Sequence, residues 1–186
     1  MNKNSLDISS SISWLESGKI LIHPTESIWG LGCDAFNELA IEKIFSIKKR
    51  EHNKSFILLC KSLDFLNYYI DEINRDDEIL LKNNWPGPVT FLIRYNKNLP
   101  EHLHSENGKI AVRVSNHLPI KSLFKGFNNF IVSTSANLSG KKVLDNPLEI
   151  LDFFESDELA YYDGELGHNK RPSKIIDLDS KSIIRD

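Results

Sequence analysis

Residues 19–35 read KILIHPTESIWGLGCDA. The run KILIH leads into Pro24 and reads as a strand entering a loop, because the residue before a proline is pushed toward extended backbone. The positions that follow hold a threonine, a glutamate, a serine, a tryptophan, two glycines and a cysteine. Such a stretch either closes an ordinary hydrophobic strand or forms one wall of a site. Gly30 and Gly32 give GxG after a strand, but the third glycine of a dinucleotide fingerprint is missing. The pair therefore reads as loop glycines required by backbone shape.

Working outward, residues 5–17 carry Leu6, Ile8, Ile12, Trp14 and Leu15 among serines, which predicts an amphipathic helix ended by Gly18. ELAIEKIFSIKKR (38–50) has Ala40, Ile41, Ile44, Phe45 and Ile47 at near-helical spacing. Its closing cations, Lys48, Lys49 and Arg50, suit a helix C-terminus. SFILLC (55–60), WPGPVTFLIRY (85–95), KIAVRV (109–114), FIVSTSA (130–136), LAYYDG (159–164), KIIDLD (174–179) and SIIRD (182–186) read as strands. Residues 63–70, 75–84, 118–127 and 147–156 read as helices, the last opened by Pro147. Interleaved strands and helices, with adjacent strands near both ends, predict a single α/β domain over 1–186 built on a mixed sheet.

Composition sets the bounds. A chain of 186 residues, 40% hydrophobic and 26% charged, buries a full core without staples. The formal net charge of −3 argues against an overall positive field for nucleic acid. Cys33 and Cys60 form no CxxC pair, and no apolar run suits a signal peptide or a membrane span, so a soluble, cytoplasmic protein is expected. No GxSxG, HExxH or complete phosphate-loop motif is present. His102-x-His104 lacks an acidic partner and reads as loop rather than metal site.

Four polar segments stand out from apolar surroundings. One is the opening stretch. KKREHNK places Lys48, Arg50 and Lys54 within seven residues, either a solvated helix end or a clamp for phosphate oxygens. Arg113 sits inside the strand AVRV, where a guanidinium is costly to bury unless it pairs with an internal acid or binds an anion, best a carboxylate. VSTSANLSG follows an apolar strand with Ser133, Thr134, Ser135, Asn137 and Ser139. It is either a capped turn or the ligand-binding loop found at the carboxyl ends of strands in open α/β sheets.

Together these segments resemble the YrdC-like family of threonylcarbamoyl-AMP synthases. The family pattern PT[DE]TxYGLGCDA is similar to Pro24–Ala35, with Ser27 in place of threonine and Trp29 in place of tyrosine. Lys48–Lys54 resembles KxRPxxK, with Glu51 for proline. WPGPVTF, AVRVSNHLP, STSANLSG, DGELGHNKRPSKIID and IIRD follow in family order, with Asn169 where relatives carry arginine. The resemblance implies a twisted mixed sheet with flanking helices and a large concave basic face. It also implies synthesis of threonylcarbamoyl-AMP and pyrophosphate from L-threonine, bicarbonate (or CO2) and ATP with Mg2+, for modification of tRNA.

By the same resemblance, Thr25, Ser27, Arg113, Ser133 and Ser173 bind threonine, with Arg113 on the carboxylate. Lys48, Arg50, Lys54, Ser135, Asn137 and Arg185 bind ATP, Lys48 and Arg50 positioning its phosphates, and no protein nucleophile is needed. No magnesium ligand is assigned. A downstream enzyme that transfers the product to tRNA is the implied partner, and an RNA-binding module for tRNA or double-stranded RNA is the competing class. Thr25, Ser27 and Trp29 alternate in sequence, which places them on one face of an extended segment; the resemblance implies that this face meets threonine, with Arg113 and Ser133 opposite. LPEHLHSENGK (99–109) and DGELGHNKRPS (163–173) are the lid candidates.

Overall fold

The structure is a computed structural model and describes residues 4–52, 55–138, 143–169 and 172–186. Its elements are, in chain order, β1 (Ser5–Leu6), α1 (Ile8–Glu16), β2 (Ile20–Pro24), β3 (Trp29–Asp34), α2 (Glu38–Lys48), β4 (Ile57–Leu59), α3 (Leu63–Leu66) and α4 (Arg75–Asn84). There follow β5 (Val89–Arg94), β6 (Lys109–Arg113), α5 (Leu118–Leu123), β7 (Ile131–Ser135), α6 (Pro147–Phe154), β8 (Leu159–Tyr162), β9 (Lys174–Asp177) and β10 (Ile183–Arg185). The strands make one mixed sheet in the order β1-β8-β2-β3-β7-β4-β6-β5-β9-β10. No helix among the described residues is long and apolar enough to cross a membrane.

Helix starts follow local chemistry. Asn37, Asn74 and Asn146 accept a backbone N–H of the first turn of α2, α4 and α6, which satisfies a donor the helix cannot. Asp7 does the same for α1 by accepting from Ser10 N–H at 2.8 Å. The helix read from residue 5 therefore begins only after Asp7. Ser5–Leu6 is instead a parallel edge strand on Tyr161–Tyr162.

The larger correction is Trp29–Asp34. Its glycines do not sit in a loop: β3 is a central strand, antiparallel to β2 on one side and to β7 on the other. The described glycines with positive φ are Gly18 and Gly108, so neither Gly30 nor Gly32 is there for a left-handed backbone.

Alternation along the strands divides the sheet into two unequal faces. Ile20, Ile22, Leu31, Cys33, Leu58, Phe91, Ile93, Ile110, Val112 and Val132 form the main core, under α2, α3, α4 and α6 through Ala40, Ile41, Ile44, Leu66, Leu81 and Ile150. On the other face Leu21, Leu59 and Ile131 meet Leu15 of α1 and Ile120 and Leu123 of α5 in a smaller cluster. Those two short helices cover only the end of the sheet nearest β2. The remainder of that face, from β3 across β7, β4, β6, β5 and β9, walls the cavity described below.

Leu31 is fully buried in β3, whereas Leu39 on α2 is 75% exposed. Leu31→Ala is expected to cost roughly 3 kcal/mol of unfolding free energy, the usual penalty for a buried leucine, and Leu39→Ala less than about 0.5 kcal/mol. Urea denaturation of the two variants measures both. Equal costs would show that β3 is not a core strand.

Candidate active site

A cavity of ≈ 650 Å³ opens on the less covered face. Its polar lining comes from the β2–β3 turn (Thr25, Ser27), the residue after α2's cap (Arg50), β6 (Arg113), β7 (Ser133, Thr134, Ser135) and the C-terminal strands (Ser173, Arg185). Ile57, Leu92, Ile175 and Ile184 are among its apolar lining. Residues more than a hundred positions apart thus converge because β3, β7, β4, β6, β5 and β9 are consecutive in the sheet.

The turn at residues 25–28 is held by one hydroxyl. Thr25 Oγ1 donates to Ile28 O at 2.7 Å and accepts from the N–H groups of Ser27 (3.3 Å) and Ile28 (3.2 Å). This corrects the expected extended segment. Pro24 pairs with Trp29, so Thr25–Ile28 forms a hairpin tip, and Thr25 and Trp29 do not share a face. Trp29 packs in the main core and donates its indole N–H to Asp145 O at 3.1 Å. Thr25 shapes the turn; Ser27 is the half-buried hydroxyl that the turn presents to the cavity.

Arg113 meets the first of its two open readings, pairing with an internal acid. Its guanidinium lies 3.3 Å from the Glu26 carboxylate, and its side chain is almost fully buried. The pair is an ion contact without aligned hydrogen bonds: Arg113 Nε and Glu26 Oε2 are buried without a hydrogen-bond partner among the described residues. The other Glu26 oxygen accepts from Ser115 Oγ at 2.6 Å. Burial pushes the Arg113 pKa down, Glu26 opposes that shift, and nearby Arg185 adds to it. Arg185 donates through Nε (3.0 Å) and Nη2 (2.7 Å) to Ser173 O, and through Nη2 to Ser173 Oγ at 3.0 Å. Ser173 Oγ in turn lies 2.9 Å from Thr90 Oγ1. Arg50 donates to Ser55 O at 2.8 Å and lies over the Phe56 ring. Three guanidiniums facing one cavity favour an anionic ligand.

Lys48 is placed differently from a phosphate-facing cation. It is 2% exposed, and its ammonium donates to the carbonyls of Ser135 and Asn137, tying α2 to the loop that leaves β7. Ser135 Oγ donates to Asn137 Oδ1 at 2.5 Å within that loop. Lys54 and the basic pairs Lys141–Lys142 and Lys170–Arg171 lie outside the described residues, as does Ser139.

Neither lid candidate is a loose flap in its described part. His102 and His104 each have Nε2 within 3.0 Å of a backbone carbonyl, those of Ala35 and Leu99, and the segment lines a different cavity on the helix-covered face. In residues 163–169 the N–H groups of Gly167 and Asn169 donate to the carbonyls of Thr25 and Glu26, both at 2.8 Å. A Cβ at Gly167 would lie 2.4 Å from Glu26 O, so only glycine permits this backbone approach.

Glu26, Ser115 and His23 were not among the expected site residues. The first two are invisible to local pattern, since their contact spans 89 positions. The third leaves a trace in the paired glycines Gly30 and Gly32, which make room for its ring.

Burial, then the charge of Arg50, lowers the Lys48 pKa from 10.5 to about 8. The unfolded chain holds this proton longer than the folded one, so stability should rise with pH between about 8 and 10.5, with the full penalty below that window. The urea midpoint of the wild type is expected to climb relative to that of Lys48→Met across this range. Parallel curves would overturn the assignment.

The family model described as Telomere recombination, Sua5_yciO_yrdC, matches residues 13–186. A protein of Saccharophagus degradans named threonylcarbamoyl-AMP synthase is 37% identical over 171 residues, 92% of this chain and 90% of that one. Another of that name from Pseudoalteromonas translucida is 36% identical over 96% of both chains. Among solved structures, E. coli YciO superposes with a TM-score of 0.85 at 26% identity over 98% of this chain and 93% of its own. P. abyssi Sua5 complexed with L-threonine superposes with a TM-score of 0.84 at 27% identity over 94% of this chain, which spans only 54% of that longer protein. In sequence and in fold alike, the chain belongs to the Sua5/YciO/YrdC family.

Proposed function

We propose that this protein is a threonylcarbamoyl-AMP synthase, a nucleotidyltransferase that converts L-threonine, bicarbonate (or CO2) and ATP into threonylcarbamoyl-AMP and pyrophosphate. The observation that carries the reading is Arg113: a guanidinium buried at the cavity wall, with Nε unpartnered and hydroxyls of Ser27, Ser133 and Ser173 lining the same space. Its fork matches a carboxylate, and the hydroxyls match the amino and hydroxyl groups of a small amino acid. The relatives named threonylcarbamoyl-AMP synthase and the P. abyssi protein complexed with L-threonine support the same substrate.

ATP lies on the remaining lining. Arg50 and Arg185 supply charge to the phosphates, and the β7 loop, with Ser135 and Asn137 held by Lys48, supplies polar contacts. Lys48 acts here through the loop it fixes. Lys54 belongs to the same group by position in sequence. The threonine amine, as the free base, takes up CO2 and loses a proton to solvent to form a carbamate, whose oxygen attacks the α-phosphorus and displaces pyrophosphate. Catalysis consists of holding two anionic partners together and stabilising charge on the phosphates, which requires no protein nucleophile.

The described residues do not form a resident magnesium cage. No group of three His, Cys, Asp or Glu side chains is arranged to hold a metal, and Glu26 is engaged by Ser115 and Arg113. Mg2+ enters as part of the substrate, on the ATP phosphates. The product, a reactive mixed anhydride, is passed to an enzyme that modifies tRNA. Direct contact with tRNA is a second part of this proposal.

Purified protein with MgATP is expected to release pyrophosphate only when threonine and bicarbonate are both present, and no such release would overturn the activity. Arg113→Lys keeps a cation beside Glu26 but loses the fork. Both it and Arg113→Ala should raise the threonine KM roughly tenfold or more while the ATP KM moves less than about twofold. Equal effects on both substrates would remove Arg113 from the carboxylate.

A further inference from the structure

His23 is the last residue but one of β2, fully buried, and opposite Gly30 in the register with β3. Its ring does not stay on its own strand. A Cβ on Gly30 would meet His23 Cε1 at 2.7 Å and Nε2 at 2.9 Å; one on Gly32 would meet Cδ2 at 2.9 Å and Nε2 at 3.0 Å. The two glycines therefore leave a trench across β3. Through it the imidazole of β2 reaches β7, where Nε2 lies 3.4 Å from Ser133 Oγ. That is the reason for GxG here. Any side chain at either position would clash with the ring or, at Gly32, also with Val132 O at 2.7 Å.

The ring's two nitrogens face different chemistry. Nδ1 looks toward Pro24 O at 3.5 Å, which can only accept, so this contact favours the tautomer with the proton on Nδ1. Nε2 is then an acceptor, and the Ser133 hydroxyl donates into the sheet. With its hydrogen committed, Ser133 offers the cavity only oxygen lone pairs. A serine in that state accepts from an N–H or O–H and repels a carboxylate. It thus complements Arg113, which takes the other end of an amino acid.

We propose that His23 is a positioning residue that, through Gly30 and Gly32, holds Ser133 as a hydrogen-bond acceptor for the amino group of the amino-acid substrate, orienting that amine for its reaction with CO2. This rests on the proposed synthase activity. The alternative, a relay in which His23 takes the amine's proton through Ser133, fails on the basicity of the ring. Burial, reinforced by Arg113 and His117 and only partly offset by Pro24 O and Glu26, lowers the imidazole pKa to about 4. A base that weak does not remove a proton from an ammonium at neutral pH. His23 orients Ser133 and stays neutral near pH 7.

Two measurements test this. Long-range 15N–1H spectra of the wild type should show His23 as the neutral Nδ1–H tautomer from about pH 5.5 to 8, and the Nε2–H tautomer or a protonated ring in that range would overturn the proposal. In kinetics, His23→Phe fills the trench without an acceptor. It should raise the threonine KM about tenfold, the worth of one buried hydrogen bond, with the ATP KM within about twofold. His23→Gln, whose amide oxygen can take the Ser133 proton, should restore the threonine KM to within about threefold of wild type, and in a Ser133→Ala background His23→Phe should add less than about twofold. An unchanged threonine KM, equal rises for both substrates, or full additivity with Ser133→Ala would each sink the idea. Should His23→Phe not fold, His23→Gln and the tautomer decide. Absence of threonine-dependent pyrophosphate release by the wild type would overturn the activity instead, and the tautomer would still judge the orientation of Ser133.

Discussion

A guanidinium buried in the middle of a sheet needs negative company, and the arrangement of this site follows from how Arg113 obtains it. Its partner, Glu26, comes from the tip of a hairpin 87 positions earlier in the chain, and is itself held by Ser115 just beyond the end of β6. The tip is shaped by the Thr25 hydroxyl and clamped from outside by the backbone of Gly167 and Asn169. Hairpin, central strand and C-terminal strap are thereby locked around one charge. The ion contact lacks aligned hydrogen bonds and leaves Nε of the guanidinium uncommitted. A buried donor in that state is costly until a ligand satisfies it, which is a physical reason for a carboxylate to bind there.

The two faces of the sheet divide the labour. The face under α2, α3, α4 and α6 is apolar throughout its central strands, so stability resides there. The opposite face is only partly covered by helices, and Arg113 of β6 with Ser133 and Ser135 of β7 cost little there because the cavity is open to solvent and ligand. Lys48 links the two faces. It leaves the last turn of a core helix, reaches the carbonyls of Ser135 and Asn137, and couples that helix to the loop proposed to bind ATP.

Much of the fold was legible. β2, β4, β5, β6, β7, β8, β9 and β10 read as strands and α2, α4 and α6 as helices because each carries its own apolar run or periodicity. Two failures share a cause. Ser5–Leu6 is too short to carry a period and is a strand only because the edge of β8 is open to it. Trp29–Asp34 holds two glycines, and glycine in a one-dimensional pattern signals a turn. The reason for those glycines is a ring on the neighbouring strand, which no local pattern contains.

From the sequence came most of the strands and helices, the order of the motifs and the list of polar residues from which a site could be drawn. Those depend on spacing and residue chemistry, which are local. The fold itself settles which of these residues line the cavity and which are engaged by other parts of the chain. Thr25 turned out to be spent on a turn, Trp29 on the core and Lys48 on a loop, while Glu26 and His23 entered the site from outside the list. A side chain's hydrogen-bonding capacity is finite, and which partner uses it is settled by neighbours distant in sequence and adjacent in the sheet.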